Sequence, residues 1–120
     1  MPEKILLVDD DRDFRSEFKD CFDEYEIIES ASGEEALKIL KKPNEIDLVV
    51  LDVKLPGLDG TEVLREIKKN NPGLGIIILT GFGSKDVVVE ALRAGADDYL
   101  EKPFDVDAAK KIIENILEVK

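Results

Sequence analysis

Asp52 ends the apolar run Leu48-Val49-Val50-Leu51, and Asp9-Asp10-Asp11 ends the run Ile5-Leu6-Leu7-Val8. Short apolar runs bounded by turn formers read as buried strands, so two strands each deliver carboxylates at their carboxyl ends. In an open parallel sheet, ligands bind beyond those ends, where the strand order reverses, and Asp9, Asp10 and Asp52 are expected to meet there. Clustered carboxylates repel one another and resist full ionisation, a conflict that a hard divalent cation relieves. Mg2+ prefers about six oxygen ligands, keeps several waters, and takes one or two carboxylates together with phosphate oxygens. The plainer role for an Asp at a strand-to-helix turn is to cap the helix, and that role falls to Asp11.

Thr80 closes the run Gly75-Ile76-Ile77-Ile78-Leu79, and Lys102 follows Tyr99-Leu100-Glu101. Taken singly, a strand-end Thr is ordinarily structural and a lone Lys ordinarily solvated. Their shared position at strand ends gives them another reading. A metal, a hydroxyl donor and an ammonium around one carboxylate are the parts that stabilise charge on a transferring phosphoryl group while that carboxylate attacks it.

Composition narrows the chemistry further. The 120 residues are enough for one domain with a real core and too few for two. The absence of His removes every imidazole nucleophile, base or metal ligand, leaving carboxylate, hydroxyl and amine. A net charge of -11 disfavours direct contact with nucleic acid or an anionic membrane and favours a cation as ligand. Met1-Pro2-Glu3-Lys4 lacks the apolar core of a signal peptide and no apolar run is long enough to span a bilayer, so the cytoplasm is the expected location. Cys21, the one cysteine, falls among Phe18, Phe22 and Tyr25 at helical spacing and reads as core. Charged residues reach 38%, against about 25% in ordinary soluble domains, which leans towards a thermophilic source.

Hydrophobic periodicity alternates between strand and helix along the whole chain. Strands are expected near 4 to 9, 26 to 31, 47 to 52, 75 to 80 and 97 to 101. Between and after them, helices are expected over about 11 to 24, from Ser32 to before Pro43, along Val63, Leu64 and Ile67, from Ser84 to about Ala94, and over about 105 to 118. Ser32-Gly33-Glu34-Glu35 carries the Ser-x-x-Glu capping box. The last helix is expected to bury Ala108, Ile112, Ile113, Ile116 and Leu117. Val87-Val88-Val89 covers more than one helix face, so at least one of them should point away from the sheet. Five strands alternating with five helices require a parallel sheet covered on both faces by right-handed crossovers.

Four ordered stretches now carry a resemblance: Leu6-Leu7-Val8-Asp9-Asp10-Asp11, Leu51-Asp52-Val53-Lys54-Leu55-Pro56-Gly57-Leu58-Asp59-Gly60, Ile78-Leu79-Thr80-Gly81, and Gly95 through Phe104. The chain resembles the response regulator receiver domains of two-component signalling over essentially its full length. The resemblance implies a (βα)5 doubly wound parallel five-stranded sheet of flavodoxin-like order 2-1-3-4-5, formed by residues 1–120 as one receiver domain. It implies that Asp52 is the phosphoacceptor, that Asp10 binds Mg2+ directly with Asp9 acting through water, and that the Lys54 backbone carbonyl completes the protein ligands. Thr80 and Lys102 match the pair that grips the phosphoryl group. Thr80 and Tyr99 match the switch that reshapes the face made by the fourth helix, fifth strand and fifth helix. The peptide bond before Pro103 is expected to be cis, and Lys54 and Phe82 match the positions that flank the phosphoryl group.

The expected activity is a phosphorylation-controlled switch rather than an enzyme, limited to self-phosphotransfer and autodephosphorylation. With no His of its own, the chain needs a sensor histidine kinase, a phosphotransfer protein or a small acyl phosphate as donor, and an output domain or effector as receiver of the signal. A phosphorylation-dependent homodimer is a further partner implied by the family. The competing reading is a Mg2+-dependent phosphatase of the haloacid dehalogenase type, mimicked by Asp9-x-Asp11, although Asp13 stands where that motif has Thr. A flavin-binding module is disfavoured because its first turn offers amides to a phosphate, whereas this one carries three carboxylates.

Overall fold

A computed structural model describes residues 2–54, 59–81 and 85–119. Its strands are β1 (Lys4–Val8), β2 (Glu26–Ser30), β3 (Ile46–Asp52), β4 (Gly75–Gly81) and β5 (Asp98–Lys102). The helices alternating with them are α1 (Arg12–Cys21), α2 (Gly33–Lys41), α3 (Gly60–Asn70), α4 (Lys85–Arg93) and α5 (Val106–Val119). All neighbouring strands pair in parallel, in the order β2-β1-β3-β4-β5, as the sequence predicts. β1 and β3 therefore lie side by side, and the turn after β1 opens next to the end of β3.

Strand alternation divides the core into two layers. Ile5, Leu7, Leu48, Val50, Ile77 and Leu79 face α1 and α5, where Phe18, Phe22, Ala109 and Ile113 are buried. Leu6, Val8, Val49, Leu51, Ile76 and Ile78 face Ala36 and Leu40 of α2, Val63, Leu64 and Ile67 of α3, and Ala91 of α4. Truncating a fully buried Phe such as Phe18 or Phe22 costs about 3–5 kcal/mol, so the aromatic layer under α1 is an anchor for the turn that precedes it.

Local chemistry sets the helix starts. Asp11 caps α1, its side chain accepting from the Asp13 and Phe14 amides, and Ser32 caps α2 by accepting from the Glu35 amide. Each such cap contributes about 1 kcal/mol. Gly60 is required where α3 begins, because a Cβ there would lie 2.4 Å from the Cα of Val53. Gly95 ends the α4 segment with φ 114, a left-handed conformation that suits glycine.

Several boundaries differ from the expected ones. α1 stops at Cys21, before Glu24, because Phe22 leaves helical geometry to bury its ring while its amide still bonds the Phe18 carbonyl at 3.0 Å. β5 runs through Lys102 instead of ending before it, since Gly81 and Lys102 extend the parallel pairing by one step. In α5 it is Ala109 that is buried and Ala108 that is exposed, a shift of one position that keeps Ala109 and Ile113 on one face. Cys21 is half-buried against the α1 and α5 layer. Of the three valines, Val89 points outward. The residues expected to flank the phosphoryl group include Phe82, which lies outside the described residues, as do Gly57 and the expected helix start at Ser84.

Candidate functional site

The β1 turn and the β3 end bring three carboxylates together: oxygens of Asp9, Asp10 and Asp52 lie within 4.8 Å of one another. Asp9 and Asp52 are buried and Asp10 is exposed. This is the arrangement expected from the two strand ends.

Every carboxylate oxygen of the two buried acids has a partner. The Asp11 amide donates to Asp9 Oδ1 at 2.9 Å and the Lys102 Nζ to Asp9 Oδ2 at 2.6 Å. The Lys54 amide donates to Asp52 Oδ1 at 2.8 Å and Lys102 Nζ to Asp52 Oδ2 at 3.1 Å. A single ammonium thus bridges two acids, reaching in from the end of β5 past a cis Lys102–Pro103 bond, as expected. Burial pushes the Asp9 carboxyl above its ordinary value, and Asp52 nearby adds to this, while the Lys102 and Asp11 donors pull against it. Burial alone would lower the Lys102 ammonium, but its bonds to Asp9 and Asp52 prevail and hold it above the usual lysine value. One positive charge facing three carboxylates leaves the pocket electron-rich, with hard oxygen donors suited to a divalent cation.

Thr80 lies at the end of β4, buried, and its Oγ1 is a buried side-chain polar atom with no hydrogen-bond partner among the described residues. Leaving a buried hydroxyl unpaired costs about 1–3 kcal/mol, so an acceptor brought to this position would be favoured. Lys54 lies at the mouth: a Cβ on Gly81 would sit 3.6 Å from the Lys54 Nζ. Tyr99, on β5 opposite Ile78, stays outside the acidic cluster with its side chain partly exposed.

Arg15 escaped the sequence reading. From α1 its Nη1 donates to the main-chain oxygen of Asp9 at 2.6 Å and its Nε to Glu29 Oε1 at 3.0 Å, and Lys19 adds a bond to Glu29 at 3.2 Å. Arg15 holds the Glu29 carboxyl below the usual range, against the opposing effect of burial. The available signal was the pair Arg15 and Lys19 at helical spacing with a single acid, Glu29, near the end of β2.

A groove of about 690 Å3 lies at the amino ends of the strands, around Lys42, Asn44, Asn71 and Leu74. It carries none of the clustered carboxylates, so we place the chemistry at the acidic cluster. Among the described residues no helix is long and apolar enough to cross a membrane.

Known proteins share this fold. The response regulator receiver domain model matches residues 5–114. Sporulation initiation phosphotransferase F of Bacillus subtilis is 37% identical over 122 residues, covering 100% of this chain and 98% of that protein. Response regulator protein FleR of Pseudomonas aeruginosa is 38% identical over 115 residues, which cover 94% of this chain but 24% of FleR. A response regulator from Chloroflexus aurantiacus superposes with a TM-score of 0.93 at 34% identity, covering 98% of this chain and 99% of that one. The hydrolase reading falls with these matches, and Asp11, the second acid of its motif, serves as the α1 cap. The chain belongs to the response regulator receiver domains of two-component systems.

Proposed function

We propose that Asp52 accepts the phosphoryl group. One carboxylate oxygen attacks the phosphorus of a phosphohistidine on a partner kinase or phosphotransfer protein, or of a small acyl phosphate. The bond from phosphorus to the leaving nitrogen or oxygen breaks, its electron pair leaves with the donor, and an aspartyl phosphate remains. The supporting observation is the convergence at Asp52: a buried carboxylate bonded to the Lys54 amide and the Lys102 ammonium, beside Asp9 and Asp10. Lys102 is placed to move from carboxylate to phosphoryl oxygen, and the unpartnered Thr80 hydroxyl is the donor for another.

Asp9, Asp10, Asp52 and the Lys54 backbone carbonyl are the residues that would hold Mg2+, which supplies the charge that lets a carboxylate meet an anionic phosphoryl group. The donor set fits, being all oxygen and short of positive charge. The chain acts on itself, by self-phosphotransfer and autodephosphorylation, and does not turn over a free substrate. Within residues 1–120 we read one receiver unit working in the cytoplasm.

The donor comes from outside because the chain has no His. An apolar groove lined by Phe14, Phe18, Cys21, Phe104 and Val106 beside Lys102 offers a docking edge for a kinase or phosphotransfer protein. Output leaves by the opposite side, where Val89, Leu92 and Tyr99 are exposed on α4 and β5, towards an effector, an output domain or a second copy, without direct nucleic-acid contact. Intact-mass spectrometry after treatment with acetyl phosphate and Mg2+ should show one phosphoryl adduct in wild type and none in Asp52→Asn. Equal labelling of the variant would refute the assignment.

A further inference from the structure

The Lys102 ammonium has three donors, and two bond the carboxylates of Asp9 and Asp52 at 2.6 and 3.1 Å. It also lies over the ring of Phe14, 4.2 Å from the centroid. That ring is itself fixed: it meets Phe104 edge-on at 6.0 Å and Phe18 at 6.1 Å, so α1 and the segment after Pro103 hold it from two sides. A long lysine stem is flexible and loses much rotamer freedom when held. The carboxylates cannot hold it throughout phosphoryl transfer, because they compete with the phosphoryl oxygens for the same N–H donors. An aromatic face attracts the cation through its quadrupole and takes up none of the donor capacity needed for an incoming oxygen. It also keeps water off one side of the ammonium, which preserves the field of the charge.

We propose that Phe14 is a positioning residue for phosphoryl transfer: its ring holds the Lys102 ammonium at Asp52 while leaving the ammonium's donors free for the phosphoryl group. This rests on the reading of Asp52 as acceptor and Lys102 as its phosphoryl contact. It differs from a docking role in that it operates with a small donor and no kinase present.

The test uses the full chain with acetyl phosphate and Mg2+, following labelling by intact mass, with Mg2+ affinity measured by calorimetry. Phe14→Leu keeps an apolar side chain for the α1 layer but lacks the π face; Phe14→Tyr keeps the face; Lys102→Met removes the cation. Phe14→Leu should label about threefold to tenfold more slowly with unchanged Mg2+ affinity, and Phe14→Tyr should return to within about twofold of wild type. The Lys102 Hε resonances, shifted upfield by the ring in wild type, should lose that shift in Phe14→Leu and keep it in Phe14→Tyr. If Phe14→Leu labels at the wild-type rate while Lys102→Met is slowed, the positioning role is overturned and the reading of Lys102 stands. A parallel loss of Mg2+ affinity in Phe14→Leu also overturns it, as distortion of the whole pocket. If Lys102→Met labels as wild type does, the reading of Lys102 itself fails.

Discussion

The two sides of the pocket are built differently. On the α1 side, Asp9, Asp52, Lys102, Arg15 and Glu29 form a continuous set of short bonds, four of them at 2.6–3.1 Å. On the α4 side, Thr80 Oγ1 has no partner among the described residues, and α4 leaves the apolar Val89 and Leu92 exposed. α4 also carries Val87-Val88-Val89, which lowers helix propensity. The contrast separates two tasks. A carboxylate nucleophile, the role proposed for Asp52, has to be held still, which the bonded side does. A switch needs an element with two arrangements of similar energy, and the element we propose for it is α4, with its exposed Val89 and Leu92.

The largest expected effect of breaking this division is at Asp10. It is exposed, so its loss removes a carboxylate of the proposed metal site without opening a cavity. Asp10→Asn should weaken Mg2+ binding by about tenfold or more while raising metal-free stability by about 0.5–2 kcal/mol through relief of carboxylate repulsion. Calorimetric titration and thermal melts with and without Mg2+ measure both. A metal-free melt below wild type would mean that the three carboxylates are already compensated without metal.

A middle-sized effect sharpens the other side. Thr80→Val replaces the unpartnered hydroxyl by a methyl of similar size, so it should stabilise the resting protein by about 1 kcal/mol in denaturant unfolding. The same variant should still be labelled at Asp52 yet lose most of the structural response in α4 and β5. Loss of stability would mean that the hydroxyl is already satisfied in the resting state.

The smallest effect concerns the support behind Asp9. Glu29 has a lowered carboxyl pKa in the fold, so it contributes stability above its ordinary value of 4.5 and loses it as pH falls through the folded value. Glu29→Gln should be slightly less stable than wild type at pH 7, and the two should converge in acid. Glu29 is 35% exposed on its side chain, so solvent screening keeps the difference small. A gap that persists in acid would assign Glu29 a packing role instead of a charged one.

Much of this was legible in the residues because the determinants are local. Apolar runs ending in Asp9 and Asp52 define strand ends, and Ser32 and Asp11 mark helix starts through their own side chains. The alternation of strand and helix then restricts the sheet to few topologies. What was missed is tertiary. Arg15 and Glu29 are separated by a helix and most of a strand, and Phe14 meets Lys102 across 88 positions of sequence, so helical spacing marks Arg15 and Lys19 as a pair but names no partner for them or for Phe14. The placement of Lys102 inside β5 and the choice of Ala109 over Ala108 depend on one step of strand pairing and one step of helix rotation. Such steps are decided by packing against partners that the local sequence does not name.

In the proposed switch, a phosphoryl group received on the bonded side is read out on the α4 side. Hydrogen exchange with and without beryllofluoride and Mg2+, a stable mimic of the phosphoryl group, tests it most directly. Protection should change most from Lys85 to Lys102, through α4 and β5, and little in α1 and β2. Changes confined to the residues around Asp52, with α4 and β5 exchanging as before, would contradict it.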